Sequence, residues 1–351
     1  MVSPKNLTNS EFQMIATKAS ELIDSEFIVV GSGPIGRILA ARLKLAGIKK
    51  VFLQTHHCND NTVTVKIKNP ELLAEVEVPV LKEEVVKPKY IFVASQVDNI
   101  NTIVFLKKSI DKNTCLILFQ NGIDVEHSFD EKTSVVNNFG DLPIARCIIA
   151  VEARNVLRDG KVETEILSET YWKLGAVSSP KGLSISNINE QLRTLTDFLN
   201  PRGFNRKIEV IEDIKIQQWI KYFINMGNGG CLILTQKGCK SASIAELYSN
   251  KECLEFTDTL VEEAYQIALK TLSTSEKQDF PSLEEIQKLH RSFISEHTPT
   301  TARNYYEKRE IENIWEKVVE MAKKFDVAVP NHAEISRIIK LHNTSVQKIN
   351  K

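Results

Sequence analysis

Along the first half of the chain the apolar residues fall in short, nearly unbroken runs; along the second half they recur every three or four positions. The runs Phe27–Val30, Lys50–Gln54, Thr62–Ile67, Tyr90–Ala94, Thr114–Gln120 and Ser134–Asn138 read as strands. Unbroken apolar strands are what a parallel sheet covered on both faces requires. Ala145–Arg154, Lys161–Ile166 and Tyr171–Ala176 alternate more, and Arg158-Asp159-Gly160 is a hairpin signal. The sheet is therefore predicted to begin parallel and end antiparallel or mixed. After a helix at Asn187–Leu199 and a last strand at Lys207–Ile211, helical periodicity takes over. It predicts helices at Asp213–Leu234, Ile244–Lys270, Ser282–Glu296, Ala302–Lys324 and Ala333–Gln347, with Pro330 ending one helix and Asn331 placed to cap the next. Glu11–Ile23 reads as a short helix ahead of the first strand.

The first strand runs into Gly31-Ser32-Gly33-Pro34-Ile35-Gly36 and then an apolar helical stretch. Strand, G-x-G-x-x-G turn and helix together form a dinucleotide-binding signature. Gly31 serves the tight turn, Gly33 lets a pyrophosphate approach the backbone, and Gly36 lets helix pack on strand. The phosphates would lie on the free N–H groups around Ser32, Gly33, Ile35 and Gly36 at the positive end of the helix. The expected fold is α/β, a Rossmann-type doubly wound sheet followed by an all-helical C-terminal domain. Its parts are an extension over 1–24, a dinucleotide-binding domain over 25–211 and a helical substrate domain over 212–351.

The chain has 351 residues, with 45 basic and 45 acidic side chains and a net charge of zero. That balance gives no pull toward nucleic acid or an anionic membrane, and no apolar run approaches the roughly 18 residues of a membrane span. The first 24 residues lack the apolar core of a secretory signal and the arginines of a transit peptide, so a cytoplasmic setting is expected. The six cysteines form no C-x-x-C pair, which fits a reducing compartment, and the seven histidines show no ligand spacing. No metal is expected.

In a dinucleotide site an acid about 20 residues past the glycines holds the adenosine ribose. Here that strand ends Gln54-Thr55-His56-His57, with no carboxylate until Asp60. The reading therefore leans to NADP, whose 2′-phosphate would meet Thr55, His56 and His57, with Lys66 or Lys68 nearby; the alternative is that the histidines are solvated turn residues. Ser95 and Gln120-Asn121-Gly122 follow two later strands, where a parallel sheet binds ligands, and would face the nicotinamide half.

The glycine turn, Gln120-Asn121-Gly122-Ile123, Trp219-Ile220-Lys221 through Asn225, Glu310-Ile311-Glu312 and Val329-Pro330 together resemble the ketopantoate reductase (2-dehydropantoate 2-reductase) family, a branch of the 6-phosphogluconate-dehydrogenase-like proteins. The resemblance runs over roughly residues 25–345. It implies an NADPH-dependent two-domain enzyme that reduces a 2-keto acid to a 2-hydroxy acid. It also implies Lys221 as general acid, Glu310 as the acid that accepts the substrate hydroxyl, and Thr298 where the family has a carboxylate-binding serine. Asn225, four residues beyond Lys221, shares its helix face. Two departures stand out. Ser95 replaces a family lysine, and Gly229 stands one turn beyond Asn225 where the family has a second asparagine; Asn228 is adjacent but about 100° away on an ideal helix. Three readings follow: a ketopantoate reductase, a reductase of another carbonyl compound, or a non-catalytic NADP-binding sensor or scaffold. The helical half could support a homodimer.

Overall fold

A computed structural model describes residues 17, 19–55, 61–69, 72–81, 87–95, 100–127, 134–158, 161–200, 206–236, 238, 242–292 and 298–349. The chain forms two compact units: Met1–Gln120 with Val125–Ile214, and Asn121–Asp124 with Lys215–Lys351.

The first unit runs β1 (Glu26–Val30), α1 (Pro34–Leu45), β2 (Lys50–Gln54), β3 (Thr62–Asn69), β4 (Leu72–Pro79), β5 (Tyr90–Val93), α2 (Ile100–Ser109), β6 (Cys115–Leu118), α3 (Val135–Phe139), β7 (Ile144–Arg158), β8 (Lys161–Ser178), α4 (Ile185–Leu199) and β9 (Ile208–Val210). One sheet takes the order β2-β1-β5-β6-β7-β8-β3-β4, with β9 also on β8. Strands β2, β1, β5, β6 and β7 are parallel, and β8 returns antiparallel to β7. The parallel start and mixed end follow the apolar pattern. Phe27 and Val29 of β1 point into one core with Ile38 and Leu39 of α1, while Ile28 and Val30 point into another with Leu106 and Val135. A strand whose faces both meet helices has no position for a polar residue, hence the unbroken run.

Several segments differ from the sequence expectation. Ser134–Asn138 is not a strand: Ser134 accepts a hydrogen bond from the Asn137 amide and starts α3. That local cap outweighs the strand preference of Val135-Val136. β4 was not expected; it pairs with β3 through Ala74 and Val78, while Glu75 and Glu77 interrupt its apolar character. Lys161–Ile166 and Tyr171–Ala176 are one strand, β8, and Asp159-Gly160 lie outside the described residues. Its polar middle holds Glu169, which is buried and receives both guanidinium nitrogens of Arg42 from α1, together with the Trp172 indole N–H.

The second unit is helical: α5 (Ile214–Ile224), which begins at the last residue of the first unit, α6 (Gly227–Gln236), α7 (Ile244–Ser249), α8 (Lys251–Thr271), α9 (Thr274–Asp279), α10 (Leu283–Ser292), α11 (Thr300–Tyr306), α12 (Glu316–Phe325) and α13 (Pro330–Ile349). Trp219, Tyr222, Phe223, Leu260, Trp315 and Ile335 lie in its main core. Three of the long helices expected from periodicity are interrupted. The first breaks at Asn225-Met226, and the second at Asn250, whose side chain caps α8. The third breaks between Tyr306 and Glu316, where Lys308 takes φ +54°. Helix α13 starts at Pro330, and Asn331 is not its capping acceptor. Glu263 of α8 accepts from the Asn331 and His332 amides at 2.9 and 3.0 Å. An acid borrowed from another helix does the capping.

Candidate functional site

Gly31 ends β1 with φ +106°, and a Cβ on it would lie 2.9 Å from the Ser95 amide. A Cβ on Gly36 would lie 1.9 Å from the Gly31 carbonyl oxygen. Neither position has room for a side chain. Gly33 is different: a Cβ there would meet nothing within 4 Å. It precedes Pro34 at the first position of α1, and no side chain caps this helix. Half-buried Ile35 anchors the first turn of α1 on the sheet core. The Ser32 hydroxyl lies 2.7 Å from that of Thr55 at the end of β2, and Arg37 Nε donates to the Ser32 carbonyl at 3.1 Å. Arg37 directly follows the motif, and nothing in the local pattern marks it as functional. His56 lies outside the described residues.

Ser95 is half-buried just after β5, and Gln120 follows β6. The Gln120 side-chain amide donates to the carbonyls of Val93, at 2.9 Å, and of Ser95. Arg146 of β7, itself buried, donates to the Gln120 carbonyl at 2.7 Å and to Glu126 at 3.3 Å. The carboxyl ends of β5 and β6 and the first residues of β7 are thereby held together. Among the described residues the buried Gln120 Oε1 has no hydrogen-bond partner. Open space at Gly33, an uncapped helix start and this vacant acceptor fit a dinucleotide lying over the strand ends. Asn121 is exposed and belongs to the short segment grouped with the second unit.

In the second unit, Lys221 lies on α5 between buried Trp219 and buried Tyr222-Phe223. Burial pushes its ammonium below the ordinary lysine value of 10.5. Among the described residues its side chain makes no hydrogen bond or ion pair. The Asn225 amide donates to the Lys221 carbonyl at 3.1 Å, which places Asn225 one turn on, at the helix break. Through the break the hydrogen bonds tighten: Met226 donates to Phe223, Asn228 to Asn225 and Gly229 to Met226. In such i→i−3 bonding, residues three apart eclipse. Asn228 lies just past this break, in the first turn of α6 beside Gly229. Gly229 is closed to the family's asparagine, because a Cβ there would lie 2.9 Å from Leu260 and 3.5 Å from Trp315.

Glu310, expected within a helix over Ala302–Lys324, sits instead in the exposed loop between α11 and α12. Its Oε1 accepts from Gln347 at 2.9 Å, and Asn304 donates to its carbonyl at 2.9 Å. Among the described residues no hydrogen bond or ion pair joins it to Lys221. Thr298 is half-buried just before Pro299, which precedes α11; that helix packs on α6 through Ala302, Cys231 and Leu234.

A glycine turn between a parallel strand and a helix, followed by a helical unit bearing a desolvated lysine, defines the class. The chain belongs to the ketopantoate reductase family: residues 27–178 match the family model "Ketopantoate reductase PanE/ApbA", and 213–343 match its C-terminal model. Solved structures share the fold. A 2-dehydropantoate 2-reductase from Methylococcus capsulatus is 18% identical with TM-score 0.69, over 92% of this chain and 97% of that one. A dimeric ketopantoate reductase from Staphylococcus aureus is 14% identical with TM-score 0.67, over 92% and 99%. A D-mandelate dehydrogenase with NADH and anilino(oxo)acetate is 16% identical with TM-score 0.70, over 92% and 99%. No functionally curated protein matches the sequence significantly. Among the described residues no helix is long and apolar enough to cross a membrane.

Proposed function

We propose that this protein reduces a 2-keto acid to a 2-hydroxy acid with NADPH, taking ketopantoate or a related compound. The observation that carries the reading is the Lys221 ammonium: desolvated, without a protein partner among the described residues, and one turn from Asn225. A half-buried cation with a lowered pKa is a better acid and stabilises an oxyanion more than a solvated one. Gly31, Ser32, Gly33, Pro34, Ile35 and Gly36 would hold the cofactor's pyrophosphate, with Ser95 and Asn121 toward its nicotinamide half. When bound, the nicotinamide would supply a hydride to the carbonyl carbon, and Lys221 would donate a proton to the carbonyl oxygen as charge develops there. Asn225 and Asn228 would orient the keto acid by hydrogen bonds, Thr298 would donate to its carboxylate, and Glu310 would accept from the hydroxyl.

The test follows NADPH oxidation with ketopantoate and a panel of 2-keto acids. Lys221→Ala is expected to lose at least about 10²-fold in kcat, the lower end for a general acid, with NADPH binding retained. If wild type binds NADPH but oxidises it with no keto acid, the chain is instead a non-catalytic NADP-binding sensor or scaffold.

A further inference from the structure

We propose that Arg37 binds the adenosine 2′-phosphate and is the residue that selects NADPH over NADH; this rests on the nicotinamide-dinucleotide reading above. In this fold the adenosine ribose lies at the carboxyl end of β2, where an acid takes its hydroxyls or a nearby arginine takes a 2′-phosphate. The described end of β2 carries Gln54 and Thr55 and no carboxylate. A bare 2′-hydroxyl finds no acidic acceptor on either residue.

The cation arrives from the helix side instead. Arg37 sits in the first turn of α1, and its Nε donates to the Ser32 carbonyl at 3.1 Å. The Ser32 hydroxyl in turn meets the Thr55 hydroxyl at 2.7 Å. A continuous chain of polar contacts thus links the Arg37 guanidinium to the end of β2, with Ser32 as the bridge. Half-buried Arg37 interacts with an anion more strongly than a fully solvated arginine does. The bond at Nε fixes the plane of the guanidinium, and its Nη edge has the spacing of two phosphate oxygens. Thr55 adds a hydroxyl that can donate to a third. Gly33, between Ser32 and α1, leaves the backbone open beside this cluster, so the pyrophosphate and the 2′-phosphate are served by neighbouring stretches of one turn.

Arg37 also braces the turn through Ser32, so a simple loss of binding would be ambiguous. The experiment compares dissociation constants for NADPH, NADH, 2′-phospho-AMP and AMP by calorimetry, for wild type, Arg37→Ala and Arg37→Lys, with thermal melts to check folding. Wild type is expected to prefer NADPH over NADH and 2′-phospho-AMP over AMP. Arg37→Ala should weaken both 2′-phosphorylated ligands roughly 10- to 100-fold, as expected for charge-assisted hydrogen bonds, and change NADH and AMP by less than about 3-fold. Arg37→Lys should fall between. Equal weakening of all four ligands would reduce Arg37 to a brace and overturn the assignment. A wild-type preference for NADPH that persists in Arg37→Ala would overturn it while leaving the NADPH reading intact. Tighter binding of NADH by wild type would remove both.

Discussion

Asn343 holds Ile311 by both of its backbone groups. Its Oδ1 accepts from the Ile311 amide at 2.8 Å, and its Nδ2 donates to the Ile311 carbonyl at 2.9 Å. Ile311 follows Glu310, so a side chain on α13 sets the course of the loop that presents the acid. Asn343→Ala should leave the core intact yet unpair two part-buried backbone groups, at about 1–3 kcal/mol each before water replaces the bonds. The expected result is a higher KM for the keto acid with an unchanged dissociation constant for NADPH. Asn343→Asp keeps only the acceptor and should give an intermediate KM. A KM equal to wild type in both variants would detach this loop from substrate binding.

Gly33 and Gly36 stand three residues apart in the same turn, and substitutions there should fail in different ways. Gly33→Val meets open space. It should fold with a normal melting temperature and lose cofactor binding, because the side chain occupies the pyrophosphate's approach. Gly36→Val drives a Cβ to 1.9 Å from the Gly31 carbonyl. It should lower stability whether or not cofactor is present, since that contact requires helix and turn to separate. Melting curves with and without NADPH distinguish the two; full cofactor binding by Gly33→Val would disprove the first.

Restoring the family's second asparagine should harm this chain. In Gly229→Asn the Cβ lies 2.9 Å from Leu260 Cδ1, with Trp315 behind it. Overpacking of this kind destabilises by about 1–3 kcal/mol. Asn228→Ala, on a half-buried position, should instead spare stability and raise the KM for the keto acid. Denaturant titration beside steady-state kinetics reads both; a stable, faster Gly229→Asn enzyme would be the opposite result.

His290 makes the helical unit acid-sensitive. It is 1% exposed, and neither ring nitrogen has a partner among the described residues. Burial pushes it down to about 4, against the pull of nearby Asp258, while Arg291 lowers it further. An unfolded chain takes up this proton near pH 6.5, whereas the folded one refuses it until about pH 4. The folded pKa is the lower one, so stability falls as pH drops through that window and levels off below it, a loss of roughly 3 kcal/mol. His290→Phe should flatten the dependence between pH 6.5 and 4.5 by most of that amount, measured by urea unfolding at both pH values. Parallel wild-type and variant profiles would rule the histidine out.

The parallel sheet and the glycine turn were legible because their requirements are local. Strands covered on both faces must be apolar throughout, as Phe27 to Val30 are. Gly31 and Gly36 stand where positive φ or a facing carbonyl excludes a side chain. The helical unit was legible as a class, through its three-to-four-residue period. Its interruptions were not, because the period continues straight through Asn225-Met226 and through the loop after Tyr306.

Sequence alone thus determined the class of fold, the dinucleotide turn and, through the spacing shared with a family, the candidacy of Lys221 and Asn225. Tertiary structure decided where Glu169 could lie inside a strand, because Arg42 neutralises it from α1. It decided that Glu263 caps α13 and that Asn343 holds the Glu310 loop. It also decided that Arg37 reaches the end of β2 through Ser32 and Thr55. Apart from the Arg37–Ser32 bond, which spans five residues, each of these pairs charges or saturates hydrogen-bonding groups across a large separation in the chain. A window of a few residues carries the backbone's local preferences, but not the partner that a distant segment brings once the chain has folded.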